Sequence, residues 1–150
     1  MSKYSGIWPV APTPFHPNGE VDYEGMKRVL DCMIEQGVDG ICILANFSEQ
    51  FLITDAEREA LSRLSLEHVA GRVPVIVTIS HYATHIVLQR ARLSKELGAA
   101  MVMMMPPYHG ALLKGTPDQT FEQFAKVGEV GIPIICLLYT SPSPRDFTES

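Results

Sequence analysis

The chain has 150 residues, 46% of them hydrophobic and 19% charged, enough apolar material for one globular domain with an ordinary polar surface. A formal net charge of -5 leaves no basic footprint for nucleic acid, and no apolar run reaches membrane length, so neither partner is expected and the chain reads as cytoplasmic. Cys32, Cys42 and Cys136 are odd in number and widely spaced, which points to reduced thiols rather than a disulfide framework or a zinc site.

The first predicted element is a short extended segment, Gly6 to Ala11, and the prolines of Pro12 Thr13 Pro14 forbid a helix directly after it. Pro17 Asn18 Gly19 is turn chemistry. Asp22 caps a helix from Tyr23 to Gln36, with Met26, Val29, Leu30 and Met33 on one stripe and Gly37 as its stop. The run Ile41 Cys42 Ile43 Leu44 is long enough for a strand covered on both faces and too short for a helix. Thr54 and Glu57 have the spacing of a capping box, so a second helix runs from there to about Val69, closed by Gly71. Val75 to Ile79 is the next buried strand, Thr84 to Leu97 a helix stopped by Gly98, and Met101 to Met105 a further strand. Asp118 to Val130 is the last helix, and Ile132 to Ile135 starts a fifth strand. No strand is expected to turn back through a hairpin.

Strand and helix alternate at about one βαβ unit per 30 residues, which builds either an open doubly wound sheet or a closed (β/α)8 barrel. A dinucleotide-binding sheet would carry a Gly-rich loop after its first strand, and none is present. A closed barrel needs about 250 residues, so the expected fold class is α/β, with the N-terminal half of a TIM barrel over residues 1–135. From Cys136 the pattern breaks into a Ser-Pro run, Thr140 Ser141 Pro142 Ser143 Pro144, and residues 136–150 read as a non-native tail, with a disordered Pro/Ser tail as the other reading.

Ligands of α/β folds sit beyond the carboxyl ends of the strands, and three strand ends carry chemistry. Asn46 Phe47 Ser48 Glu49 offers backbone N–H groups, an amide and a hydroxyl beside a helix start, which suits a carboxylate; a plain strand-to-helix loop is the alternative. Ser80 and His81 place a candidate acid or base, or a histidine that only hydrogen-bonds its loop. Pro106 Pro107 Tyr108 His109 sets a phenol and an imidazole on a stiff exit, for proton relay or for packing on another subunit. No GxSxG elbow supports a nucleophilic serine. His81 and His85 lie four apart with no accompanying carboxylates, so no metal and no cofactor are expected. Lys3, Lys27, Lys95, Lys114 and Lys126 all fall outside the strands, so no Schiff-base lysine is expected within the chain.

The ordered motifs GIWPVAPTPF, GVDGICILANFSEQF, GRVPVIVTISH and MPPYHG resemble the dihydrodipicolinate synthase and N-acetylneuraminate lyase family over about Gly6 to Ile135. That resemblance implies a (β/α)8 barrel, usually a homotetramer, that binds a small-molecule 2-keto acid as an imine of a lysine lying beyond Ile135. It implies a substrate-binding set of Asn46, Phe47, Ser48, His81 and His109, and an inter-subunit catalytic role for Tyr108, which takes the place of the family's PYY tyrosine. The synthases carry GTTGE where this chain has Ala45 Asn46 Phe47 Ser48 Glu49, so their threonine proton relay is not expected. A dehydratase branch acting on a 2-keto-3-deoxy sugar acid is favoured, with a synthase or a neuraminate-lyase-type aldolase as the alternative. Cut before its lysine, the chain by itself is expected to be inactive. The alternative of another class is a non-catalytic half-barrel that pairs with a second copy of itself.

Overall fold

The structure is a computed structural model that describes residues 4–106, 108–109 and 113–137, with the backbone alone at 108–109 and 113–114. Helix α1 spans Tyr23–Glu35, and its N-cap Asp22 accepts from the Gly25 N–H at 2.7 Å, one of the four donors a helix start leaves orphaned. Strand β1 is Ile41–Ile43, followed by a single 3-10 turn at Asn46–Ser48. Helix α2, Asp55–Val69, opens on the expected capping box: the Thr54 hydroxyl accepts from the Glu57 N–H, and the Glu57 carboxylate accepts from the Thr54 N–H. Then come β2 (Val75–Thr78), α3 (Thr84–Glu96) and β3 (Met101–Met104).

After β3 the chain departs from the expectation of no hairpin. Strands β4 (Tyr108–His109) and β5 (Leu113–Lys114) pair antiparallel, Tyr108 opposite Lys114 and His109 opposite Leu113. Two-residue strands are too short to leave an alternating pattern, so the sequence carries no trace of them. Helix α4, Pro117–Gly128, begins one residue before the predicted start, because Thr116 and Gln119 form a capping box with Pro117 in the first turn. Strand β6 is Ile134–Cys136, so pairing runs through Cys136, opposite Met104.

The four long strands form one parallel sheet in the order β1-β2-β3-β6, and the first extended segment joins it through a parallel bridge from Val10 to Cys42. Each strand lies beside its predecessor in sequence, so every crossover steps the same way. A doubly wound sheet reverses direction at a switch point to put helices on both faces, whereas a sheet that never reverses keeps them on one. The buried residues agree. Ile41, Ile43, Val75, Val77, Ile79, Val102 and Met104 pack with Met26, Leu30, Leu61, Val87, Ala91 and Val127 of the helices. The alternate positions Cys42, Ile76, Met101 and Met103 form a separate cluster with Ala45, touched by Tyr4, Trp8, Val10 and Leu137. This second face borders a cavity of about 540 Å3 and is the concave side of a barrel arc. Among the described residues no helix is long and apolar enough to cross a membrane.

Candidate active site

The carboxyl ends of β1, β2 and β3 converge on the loop Leu44–Gln50. Two residues of this loop that are not glycine, Leu44 (φ 59) and Glu49 (φ 56), occupy the left-handed region and bracket the 3-10 turn between them. Such conformations cost roughly 1–3 kcal/mol each and persist only where surrounding contacts impose them. Those contacts are present. The buried Ser48 hydroxyl donates to the Ala11 carbonyl at 2.6 Å and accepts from the Ala45 N–H at 3.1 Å, while the Thr13 hydroxyl donates to the Ser48 carbonyl at 2.8 Å. Ser48 therefore fastens its loop to the first extended segment, and its hydroxyl is engaged within the protein. Phe47 is 78% exposed and borders the concave cavity together with Ala45, Cys42 and Met103. Asn46 directs its Nδ2 towards Met105 Sδ at 3.7 Å, and its Oδ1 accepts from Gln50 Nε2 at 2.7 Å.

Two arginines hold the strand ends from the helical side. Arg58, 5% exposed, donates to the Thr78 carbonyl at 2.9 Å, to Gln50 Oε1 at 2.8 Å and, over a longer 3.4 Å, to the Leu44 carbonyl. Burial, reinforced by the nearby Arg90 charge, pulls its pKa down to about 9, which still leaves it protonated at neutral pH. Arg90 donates to the Ser80 carbonyl at 2.7 Å and to Asp55 at 2.8 Å, and that hydrogen bond holds the Asp55 carboxyl below the usual range. Carbonyls at the end of a parallel strand have no next residue to pair with, and guanidinium groups satisfy them without closing the mouth to a ligand.

The β2 end is held as tightly. The Ser80 hydroxyl accepts from the Met105 N–H at 2.9 Å, joining the ends of β2 and β3. His81 Nδ1 accepts from the Ala83 N–H at 3.0 Å, which fixes the ring and makes Nε2 the protonated nitrogen of the neutral tautomer. Burial and the Arg90 charge hold the His81 pKa below its ordinary value, so the ring is neutral at pH 7. Its carbonyl accepts from Gln123 of α4 at 3.3 Å. The structure thus sets Asn46, Ser48, Phe47 and His81 along one end of the sheet. Tyr108 and His109 leave β3 at that same end in β4, and their side chains, like all of Pro107, lie outside the described residues.

Gln50, Arg58, Thr13 and Arg90 were not singled out from the sequence. For Arg58 a signal existed. The residues that α2 buries are Arg58, Leu61, Ser62, Ser65 and Val69, a regular helical stripe whose first member is charged, whereas the apolar Leu64 and Leu66 beside it are only partly buried. A charged residue on a buried stripe implies fixed acceptors opposite it.

One-directional strand order, helices on a single face and a polar loop cluster at the carboxyl ends define a portion of a (β/α)8 barrel, a fold that carries its ligands at the strand ends. A model of the Dihydrodipicolinate synthetase family matches residues 3–145, and the chain belongs to that family. It is 56% identical over 134 residues, 89% of its length, to an L-2-keto-3-deoxyarabonate dehydratase of Azospirillum brasilense, and 29% identical over 132 residues to a 4-hydroxy-tetrahydrodipicolinate synthase of Protochlamydia amoebophila. The chain spans 43% of the length of each of these relatives. The crystal structure of N-acetylneuraminate lyase from Mycoplasma synoviae superposes with a TM-score of 0.85 at 26% identity, over 94% of this chain and 49% of that one.

Proposed function

We propose that the chain forms the carboxylate-binding side of a lysine-dependent 2-keto acid lyase, and that the whole protein is an L-2-keto-3-deoxyarabonate dehydratase. The observation that carries this reading is the 56% identity to such a dehydratase, set against 29% to a synthase. The strand-end geometry supports it. Asn46 and Phe47 replace the synthases' paired threonines, and an asparagine amide with a bulky neighbour can bind a carboxylate but cannot relay a proton as a hydroxyl does. The amine that forms the imine is expected from outside the four-stranded parallel sheet: Lys27, Lys95 and Lys126 sit on helices, and Lys114, contrary to the expectation that it lies outside the strands, belongs to the short antiparallel β4–β5 pair. An imine at C2 acidifies the C3 proton and the C4 hydroxyl leaves as water; loss of a C5 proton then shifts the double bond to a C4=C5 enol, which tautomerises to the aldehyde, and hydrolysis of the imine releases 2-oxoglutarate semialdehyde. Asn46 and Phe47 hold the carboxylate end on a loop that Ser48 fastens, His81 and His109 line the mouth, and Tyr108 reaches the site of a neighbouring subunit in a cytoplasmic homotetramer.

The test is an assay of the protein expressed from its native locus. With 2-keto-3-deoxy-L-arabonate it should release the semialdehyde and no pyruvate. Pyruvate release would mark an aldolase, and condensation of pyruvate with an aldehyde a synthase. Borohydride added with the keto acid reduces the imine to a secondary amine, and the modified lysine should be none of Lys3, Lys27, Lys95, Lys114 or Lys126.

A further inference from the structure

Two hydrogen bonds in series run from the helical core to the strand-end mouth. Arg58 Nη2 donates to Gln50 Oε1 at 2.8 Å, and Gln50 Nε2 donates to Asn46 Oδ1 at 2.7 Å. A guanidinium has donors and no acceptor, so the direction of the whole series is set at its buried end. Gln50 must turn its oxygen to Arg58, which leaves its NH2 for Asn46. Asn46 must answer with its oxygen, and its own NH2 is thereby turned the other way, towards Met105 Sδ at 3.7 Å. Met105 lies two residues beyond Met103, and Met101 and Met103 belong to the concave-side cluster, so strand alternation puts Met105, and with it this NH2, at the carboxyl end of that same face. Arg58 and Gln50 are 5% and 6% exposed, which leaves water little room to substitute for either partner.

We propose that Arg58 and Gln50 are positioning residues that fix the amide of Asn46 so that it offers N–H rather than C=O to the carboxylate of a 2-keto acid. The inference rests on the reading of Asn46 as a carboxylate ligand. An asparagine amide has nearly the same shape after a 180° turn but the opposite hydrogen-bonding sense, so its sense must be dictated from outside. A carbonyl turned to a carboxylate repels it, and a donor attracts it. The mouth contributes the ligand, and the buried arginine decides which sign it presents.

Gln50→Glu is the discriminating variant. It keeps the shape and gives Arg58 a stronger acceptor, but it cannot donate to Asn46, whose NH2 must then turn to the introduced carboxylate. On the full chain, the thermal midpoint should be unchanged or raised, the side-chain NH2 resonances of Asn46 in 15N-labelled protein should shift, and affinity for pyruvate should fall at least roughly tenfold, about what one charge-assisted hydrogen bond contributes. A purely structural role predicts the same midpoint and no loss of affinity. Arg58→Lys, which retains a donor for Gln50, should keep most of the affinity that Arg58→Met loses. Unmoved Asn46 resonances, or equal pyruvate affinity in Gln50→Glu and the parent, would overturn the inference. Asn46→Asp tests the underlying reading separately: it still accepts from Gln50 yet should abolish pyruvate binding, and if it binds as the parent does, the carboxylate role of Asn46 fails whatever the resonances show.

Discussion

Replacing Arg58 by methionine measures what the buried guanidinium contributes to the fold. The side chain makes two short hydrogen bonds, to the Thr78 carbonyl at 2.9 Å and Gln50 Oε1 at 2.8 Å, and a weak third to the Leu44 carbonyl at 3.4 Å. Hydrogen bonds to a charged group contribute about 1.5–3 kcal/mol each, and Arg58→Met leaves the acceptors behind, buried and unpaired. The two short bonds together give a gross loss of about 3–6 kcal/mol. Methionine restores apolar volume and removes the cost of burying a cation, a cost visible in the guanidinium pKa drawn down to about 9, so the lower end, about 3 kcal/mol, is expected. That is a large share of the roughly 5–15 kcal/mol by which domains are stable. Urea titration followed by circular dichroism reads it as a lower midpoint with the same slope. A loss below about 1 kcal/mol would mean that the strand-end carbonyls find water when the arginine leaves, and that the arginine clamp is dispensable.

Three further outcomes follow from named contacts. A Cβ added at Gly40 would collide with the Trp8 ring, so Gly40→Ala should displace the one tryptophan of the chain, cost roughly 1–3 kcal/mol and red-shift its emission; unchanged emission would show that the ring is not packed there. Burial pushes the Cys42 thiol up to about 11, and the side chain is 3% exposed, so at neutral pH it should react with a disulfide reagent at least roughly a hundredfold more slowly than the exposed Cys32. Comparable rates, followed by mass spectrometry, would contradict its placement on the covered inner face. The His81 pKa is lowered in the fold, so the unfolded chain binds the proton more tightly, and stability should decline as pH falls from the ordinary value of 6.5 towards the folded one. His81→Asn should flatten that part of a pH series of thermal midpoints, and an identical slope in parent and variant would place the titrating group elsewhere.

Local chemistry was legible wherever the deciding partners are close in sequence. Asp22 bonds a residue three positions on, Thr54 and Glu57 bond each other, and Gly37 and Gly98 stop their helices with positive φ. The end of α2 is the exception, since Ala70 itself takes the left-handed conformation ahead of Gly71. Three buried strands, β1, β2 and β3, were likewise legible as apolar runs, because a parallel strand is covered on both faces whatever its neighbours are. Strand β6 was legible as an apolar run although Ile135 and Cys136 are exposed.

Tertiary structure alone decided the rest. Strand–helix alternation by itself fits a closed barrel or a doubly wound sheet; the missing Gly-rich loop and the motif resemblance pointed to the barrel, and the pairing order β1-β2-β3-β6 shows that the strands advance without reversal. The acceptors of Arg58 lie 8, 14 and 20 residues away on two different segments, the Leu44–Gln50 loop and the end of β2, and the Ser48 hydroxyl finds its acceptor 37 residues back. Hydrogen-bond partners that far apart are set by how the elements pack, and no helical or strand period encodes that distance. The sequence by itself determined which residues make the helices and the parallel strands, though not the short β4–β5 pair, because caps and burial patterns act over a few residues; which way the amide of Asn46 faces was decided by packing, through a buried cation that can only donate.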